Sequence, residues 1–291
     1  MLENPYNRVF NFELFMKKKV CIVLVCYNAY LDAKKLLNSL HDALKLENEV
    51  ELTVVFSDNS TELFDTNSLY ESKYDFEYQY IKNGNVGYFP GFYAGLQHID
   101  YKSKGFDYII VSNVDLVVES NFFNTLKKLI VNKNIGLVAP KIISDITGND
   151  ANPKIITRPT KRKINFMRML CSNSLAFLFY QKLSFLKPKK KTMLLDTNKG
   201  INEPMYGAHG AFMIFTRSYF DEGGKIDYPR FLFGEEGFVA EELRRIKLKI
   251  SHENGLVIRD KEHGSTSLES SKFICQEHKK SYDYFYINYL K

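Results

Sequence analysis

Residues 20–28 read VCIVLVCYN: seven apolar residues without a charge, then Tyr27 and Asn28. A short run that is apolar at every position, not every second one, is the pattern of a strand buried on both faces. Such strands occur where helices cover both sides of a parallel sheet. From Leu31 the period changes to that of a helix, with Leu36, Leu40, Ala43 and Leu44 on one face. Working onward, strands are expected at 51–57 (ELTVVFS, ending at Asp58), at 76–81 (FEYQYI, running into a Gly-rich turn) and at 107–112 (DYIIVS). Helices are expected over 88–99, past Pro90, and over 121–131. This alternation predicts an α/β fold with a mostly parallel central sheet and helices on both faces. After Pro140 the rhythm is lost. Loops and one helix near 165–186 are expected there, then a strand at 211–216 (AFMIFT), a helix over 235–247 and a strand near 249–258.

Composition narrows the function classes. The chain has 291 residues, 45% hydrophobic and 25% charged, with 16 Gly and 8 Pro, which excludes collagenous, low-complexity and disordered classes. Cysteines at 21, 26, 171 and 275 form no C-x-x-C pair and are too few for a disulfide framework, so buried reduced thiols in a cytosolic protein are expected. Cys21 and Cys26, five apart on a strand, should face opposite ways. The opening MLENPYNRVFNFELFMKKK lacks the basic-then-apolar order of a secretory signal. No apolar run approaches the ~20 residues that span a bilayer. The expectation is a cytoplasmic protein, soluble or peripheral on the inner face of the membrane.

Ligands of open parallel sheets bind beyond the carboxyl ends of the strands. There the sequence places Tyr27 and Asn28, then Asp58-Asn59-Ser60, Gly84-Asn85-Val86-Gly87 and Asn113-Val114-Asp115. No G-x-G-x-x-G follows the first strand and no G-x-x-x-x-G-K-[ST] occurs, which disfavours a nicotinamide enzyme and a P-loop phosphotransferase. Asp58 suits the N–H of a nucleobase, or an Asx turn closing its strand. The glycines at 84, 87 and 91 allow close backbone approach to a ligand, or a plain tight turn. Asp115, directly after an apolar strand, suits a hard cation that takes carboxylate and phosphate oxygens. Glu235 and Glu236 open a helix, where acidic residues also favour the dipole.

The runs VCYN, SDNST, NGNVGY, SNVD and FLFGEEGFVAEEL, in that order, resemble the family 2 glycosyltransferases, within the rhamnosyltransferase-like group. The resemblance covers residues 19–265. It implies a GT-A fold, a nucleotide-diphosphate sugar donor of UDP or dTDP type, a divalent metal (Mn²⁺ or Mg²⁺) and inversion at the anomeric carbon. It implies one domain over 1–291, with 19–140 as the nucleotide-sugar half, 141–205 as a basic insert, 206–265 as the acceptor and catalytic half, and 266–291 as a C-terminal helix or tail.

By the same resemblance Tyr27, Asn28, Asp58, Asn85, Gly87, Gly91 and Asn113 contact the nucleotide sugar, and Asp115 with His263 holds the metal. His209 lies at the acceptor. The family shows Asp-x-Asp where this chain has Asn113-Val114-Asp115, so a single carboxylate must work with diphosphate oxygens and water. The family's base maps onto Glu236, with Glu235 as the alternative. For His263 and His209 the plain alternative is a surface or loop histidine.

Net charge is +6, yet eleven of the 40 basic residues and none of the 34 acidic ones lie between Lys154 and Lys191, leaving the rest of the chain net negative. If 164–186 is helical, Ile164, Met167, Cys171, Leu175, Leu178 and Phe185 form an apolar stripe, suited to an anionic membrane surface or to the protein's own core. The function expected is that of an inverting, metal-dependent hexosyl- or deoxyhexosyltransferase acting on a surface polysaccharide or lipid-linked saccharide, with no nucleic-acid partner. The rivals are a sugar nucleotidyltransferase, which should carry a basic Gly-rich loop where this chain reads CYNAY, and a non-catalytic binder of anionic surfaces.

Overall fold

The computed structural model describes residues 17–62, 64, 65, 69, 74–186, 205–261 and 270–291. The opening run forms β1 (Lys18–Cys26), paired in parallel with β2 (Val50–Asp58) on one side and β4 (Tyr108–Asn113) on the other. Successive side chains of β1 point to opposite faces, so Val20, Ile22, Leu24 and Cys26 enter one core layer while Cys21, Val23 and Val25 enter the other. This is why no position from 20 to 26 tolerates a polar residue, and why Cys21 and Cys26 do not meet. All four cysteines are buried free thiols.

Helix α1 (Tyr30–Lys45) lays Ala33, Leu36, Leu37, Leu40 and Leu44 on the first layer, with Asp32 in its first turn and Lys45 in its last, each complementing the helix dipole. On the opposite layer α2 (Tyr88–His98) carries Pro90 in its first turn, where a missing N–H costs nothing. A Cβ at Gly95 would stand 2.7 Å from Val23 Cγ1, and one at Gly91 2.7 Å from Asn59 Nδ2, so these glycines let α2 settle onto the sheet.

The sheet continues through β3 (Glu77–Lys82), β5 (Leu116–Val118), β6 (Ile135–Ser144), β7 (Phe212–Thr216) and β8 (Lys249–Asp260), in the order β3-β2-β1-β4-β7-β6-β8-β5. Strand β7 runs antiparallel to β4 and β6, and β5 antiparallel to β8; the other pairs are parallel. Short helices α3 (Tyr101–Lys104), α4 (Phe122–Lys128) and α7 (Arg217–Asp221) link strands, and α8 (Glu235–Arg245) precedes β8.

Two strands were not expected. β5 is three residues long, and β6 contains Pro140, where the sequence pattern fades. The register with β8 shifts between Pro140 and Lys141, because proline has no N–H to give the ladder. The single helix expected near 165–186 is two, α5 (Lys161–Leu170) and α6 (Ser174–Leu186). Thr160 Oγ1 caps α5 by accepting from Lys163 N (3.2 Å), and Asn173 Oδ1 accepts from Leu175 N (3.0 Å) and Ala176 N (3.2 Å), starting α6 anew. The expected stripe therefore divides. Ile164, Met167 and Cys171 are buried in the protein's own packing, whereas Leu175 is 76% exposed. The chain closes with α9 (Ser271–Phe285) and a π-helical turn, Tyr286–Leu290. Among the described residues no helix is long and apolar enough to cross a membrane.

Candidate active site

The pairing register brings the strand ends to one edge: Cys26 lies beside Asp58, Val25 beside Asn113, and Asp58 beside Lys82. Asn28 follows β1 with φ 51, and its Oδ1 accepts from Thr61 N (3.0 Å) and Glu62 N (3.2 Å), fastening the loop after β2. Asp58 is fully buried. It accepts from Tyr80 Oη (2.7 Å), Lys82 Nζ (2.9 Å), Ser60 N (2.9 Å) and Tyr30 Oη (3.1 Å). Burial works against its charge, but Lys82, Ser60 and Tyr80 outweigh that and hold the carboxyl below its ordinary range. The Asx turn weighed as the plain alternative is thus present, and a nucleobase N–H would have to share the carboxylate with Lys82.

Asn85 is exposed at the turn after β3. Gly87 has φ 98, and a Cβ there would collide with the Phe231 backbone oxygen and stand 2.7 Å from Phe231 Cα. Tyr88 N donates to that same oxygen (3.1 Å). Gly91, expected at the ligand, lies against Asn59 and Val25 in the helix–sheet contact.

The turn before α8 is strained. Phe233 has φ 63 and Gly234 φ 91, two successive left-handed residues, the first of them a bulky aromatic. Neighbouring groups hold it: Tyr228 Oη donates to Phe233 O (2.9 Å), and the His278 ring of α9 stacks on Phe233 at 3.9 Å and 10°. A Cβ at Gly234 would strike Ser281 Oγ. This turn sets Glu235 and Glu236 in the first turn of a helix that has no side-chain cap. A Cβ on Gly210 would lie 2.7 Å from Glu235 Oε1, and one on Gly207 3.3 Å from Glu236 O. Burial, with the Glu236 carboxylate adding to it, pushes Glu235 up to about 8. The Tyr88 phenol, which donates to Gly210 O (2.8 Å), is driven well above its ordinary value by burial and then by Glu235, Asp115 and Glu236. The charges of all three acids thus act on one phenol.

Asp115 is half-buried in the turn between β4 and β5, and its carbonyl accepts from Lys261 N (3.3 Å). Asn113 N donates to Ala211 O (2.8 Å), joining the β4 end to the residues around His209. His209 N donates to Asn152 Oδ1 (2.8 Å), and Lys154 Nζ lies 3.2 Å from His209 Nε2. Burial, then Lys154, pushes His209 down to about 3. His263 lies outside the described residues. No cluster of three His, Cys, Asp or Glu side chains suited to a metal occurs among the described residues. A groove of about 670 Å³ lined by Tyr93, Gln97, Tyr101, Arg217 and Phe220 contains none of these residues.

Sequence reasoning missed Tyr88, Lys154 and the Tyr228–His278–Ser281 support. Tyr88 was legible, since it directly follows the Gly-rich turn. The others come together through contacts 45 or more residues apart in the chain, as between Phe233 and His278, between Tyr228 and Ser281 and between Lys154 and His209.

The profile of glycosyl transferase family 2 matches residues 21–224. No curated protein sequence matches significantly. Similar solved structures include a mannosyltransferase, PcManGT from Pyrobaculum calidifontis, in complex with GDP-Man and Mn²⁺, at 12% identity and TM-score 0.49, covering 86% of this chain and 59% of that one. Another is S. aureus TarS, at 11% identity and TM-score 0.48, covering 93% and 44%. A third is TarS residues 1–349 in complex with UDP-GlcNAc, at 13% identity and TM-score 0.49, covering 87% and 61%. The chain thus spans less than two thirds of each of these three structures. With the profile match over most of its length, the chain belongs to glycosyl transferase family 2.

Proposed function

We propose that this protein moves a hexose or deoxyhexose from a UDP- or dTDP-type donor to a saccharide hydroxyl, with inversion at the anomeric carbon. The observation that carries this reading is that Glu235, Glu236 and Asp115 all act electrostatically on the Tyr88 phenol, which donates to Gly210 O beside Ala211 O, the partner of the β4 end. In this reading Tyr27, Asn28, Asp58, Asn85, Gly87 and Asn113 line the nucleotide-sugar side, and His209 the acceptor side.

A half-buried carboxylate at the sheet edge fits a divalent cation, Mn²⁺ or Mg²⁺, that takes most of its oxygen ligands from the donor diphosphate and water. Asp115 would hold it, with His263 as a further candidate. When bound, the cation offsets the negative charge that grows on the leaving diphosphate. The protein's own residues do the rest. Glu235, with its proton affinity raised to about 8, keeps its proton at neutral pH. That leaves Glu236 to accept the proton of the acceptor hydroxyl as its oxygen attacks the anomeric carbon and the bond to the diphosphate breaks. The turn held by Tyr228, Ser281 and His278 fixes the direction of that carboxylate.

The acceptor we propose is a growing surface polysaccharide or lipid-linked saccharide, met at the inner face of an anionic membrane. What supports this is the α5–α6 hairpin. It exposes Phe166, Met169, Leu175, Phe179 and Leu183 together with Lys161, Arg162, Lys163 and Lys182. Apolar side chains that insert and basic ones that meet headgroups are the two components of interfacial binding.

The experiment is transfer by Glu236→Gln and Glu235→Gln. Glu236→Gln should lower transfer by roughly 10²- to 10⁴-fold with donor affinity within a few-fold. Glu235→Gln should cost less. Full transfer by both variants would overturn the mechanism.

A further inference from the structure

We propose that Lys154 and His209 form a binding site for an anionic oxygen group, a carboxylate or a phosphate, on the acceptor. This rests on the transferase reading above and adds the acceptor's chemistry to it.

The argument begins with one hydrogen bond. Ala211 N donates to His209 Nδ1 at 3.1 Å. A backbone amide only donates, so Nδ1 must offer its lone pair. The ring is neutral, since burial and Lys154 depress its proton affinity. Its single proton therefore sits on Nε2, which becomes a donor. Lys154 Nζ stands 3.2 Å from that same Nε2, and an ammonium has three donors and no acceptor. Two donors cannot satisfy each other. Neither nitrogen can accept from the other, so the group complementary to the pair is an acceptor oxygen carrying negative charge.

The pair is also held in place. Asn152 is 5% exposed; its Oδ1 accepts from His209 N (2.8 Å) and its Nδ2 donates to Pro140 O (2.8 Å). Asp150 Oδ1 accepts from Asn152 N and Ile142 N, both at 2.9 Å. The segment carrying Lys154 and the one carrying His209 are thus tied to each other and to β6, so little ordering remains to be done on binding.

The acids that face the pair are Asp150 and Glu235. Asp150 is engaged elsewhere, its Oδ1 by Asn152 N and Ile142 N and its Oδ2 at 3.4 Å from His252 Nε2, and burial disfavours the charge of Glu235. Glu235 packs against Gly210, the residue next to His209. An anion clasped here lies one residue from the carboxylate pair, which is where a group neighbouring the attacking hydroxyl would be. A uronic acid and a phosphate-bearing saccharide both carry such a group.

The test is NMR of the histidine ring nitrogens of the full chain, titrated separately with inorganic phosphate, glucuronate and neutral methyl glucoside. The expected ground state is His209 with its proton on Nε2. Phosphate, glucuronate or both should move the Nε2 resonance while methyl glucoside does not. Lys154→Ala should weaken that response roughly tenfold or more, as for loss of a charge-assisted hydrogen bond, and Lys154→Arg should restore it. A response to phosphate alone assigns a phosphate-bearing acceptor, and one to glucuronate alone a uronic acid. A proton on Nδ1, no response to either anion, or an unchanged response in Lys154→Ala overturns the proposal. None of these readouts needs a donor. Anion binding by a chain that retains no nucleotide sugar would keep the site and remove the transferase reading, and donor turnover without any shift would do the reverse.

Discussion

Asp58→Asn removes one charge from a carboxylate that is fully buried and accepts from Tyr80, Lys82, Ser60 and Tyr30. The amide can keep the Ser60 N–H through its oxygen, and Tyr80 can rotate its hydroxyl to accept. Lys82 has no such escape: a donor NH₂ group now faces its ammonium. Its side chain is 46% exposed, so it can swing into water and recover part of the loss. Removing one partner of a fully buried pair costs about 3–5 kcal/mol, and a hydrogen bond to a charged group is worth about 1.5–3 kcal/mol. With rehydration of Lys82 discounted, the expected loss is about 2–4 kcal/mol. Because the folded-state proton affinity of Asp58 is depressed, this contribution is present above the ordinary carboxylate range and fades as pH falls through the folded value. The assay is urea unfolding of both proteins at pH 7 and pH 3 without nucleotide. A difference below about 0.5 kcal/mol at pH 7, or one that does not shrink at pH 3, would refute the network as drawn.

Glu235 has the opposite sign: its folded value is raised from 4.5 to about 8, so stability falls as pH rises through that window, by up to ~1.4 kcal/mol per pH unit. Glu235→Gln should flatten the thermal-unfolding curve between pH 5 and 8, and an unchanged slope would remove the raised carboxyl. Gly234→Ala places a methyl against Ser281 Oγ at φ 91 and should cost about 1–3 kcal/mol, read by chemical denaturation; Gly234→Ala combined with Ser281→Gly should recover only the steric part. Phe166→Ser with Phe179→Ser should release the protein from anionic vesicles even at low salt, whereas Lys161, Arg162 and Lys163 changed to Gln should weaken binding most at low salt, where the charges are least screened. Co-sedimentation that is indifferent to the two aromatics would make the hairpin an electrostatic contact alone.

The first half of the fold was readable because most positions of β1, β2 and β4 are buried, which leaves apolar runs such as Val20–Cys26 and Tyr108–Val111. The polar residues that follow those strands were readable for the same reason, since parallel strands must deliver their ends to one edge. The pattern fails at β6, where Pro140 interrupts an otherwise buried strand, and at β5, too short for any period to show. Residues 165–186 misled because the apolar positions of α5 and α6 fit one helical stripe, while the side-chain acceptor that ends it, Asn173, lies among small polar residues of little apparent weight. Lys154 and His209 were out of reach as a pair, since their meeting depends on Asn152 tying two loops to β6.

The most direct test of the central claim is release of nucleoside diphosphate from a panel of UDP- and dTDP-sugars, with and without Mn²⁺, by wild type and by Asp115→Ala. The account predicts that one donor is hydrolysed or transferred in a Mn²⁺-dependent way by wild type, and that Asp115→Ala loses the metal-dependent part. Turnover equally dependent on Mn²⁺ in Asp115→Ala would take Asp115 out of the site. A wild-type protein that neither retains nor turns over any nucleotide sugar, with metal or without, would contradict the account itself.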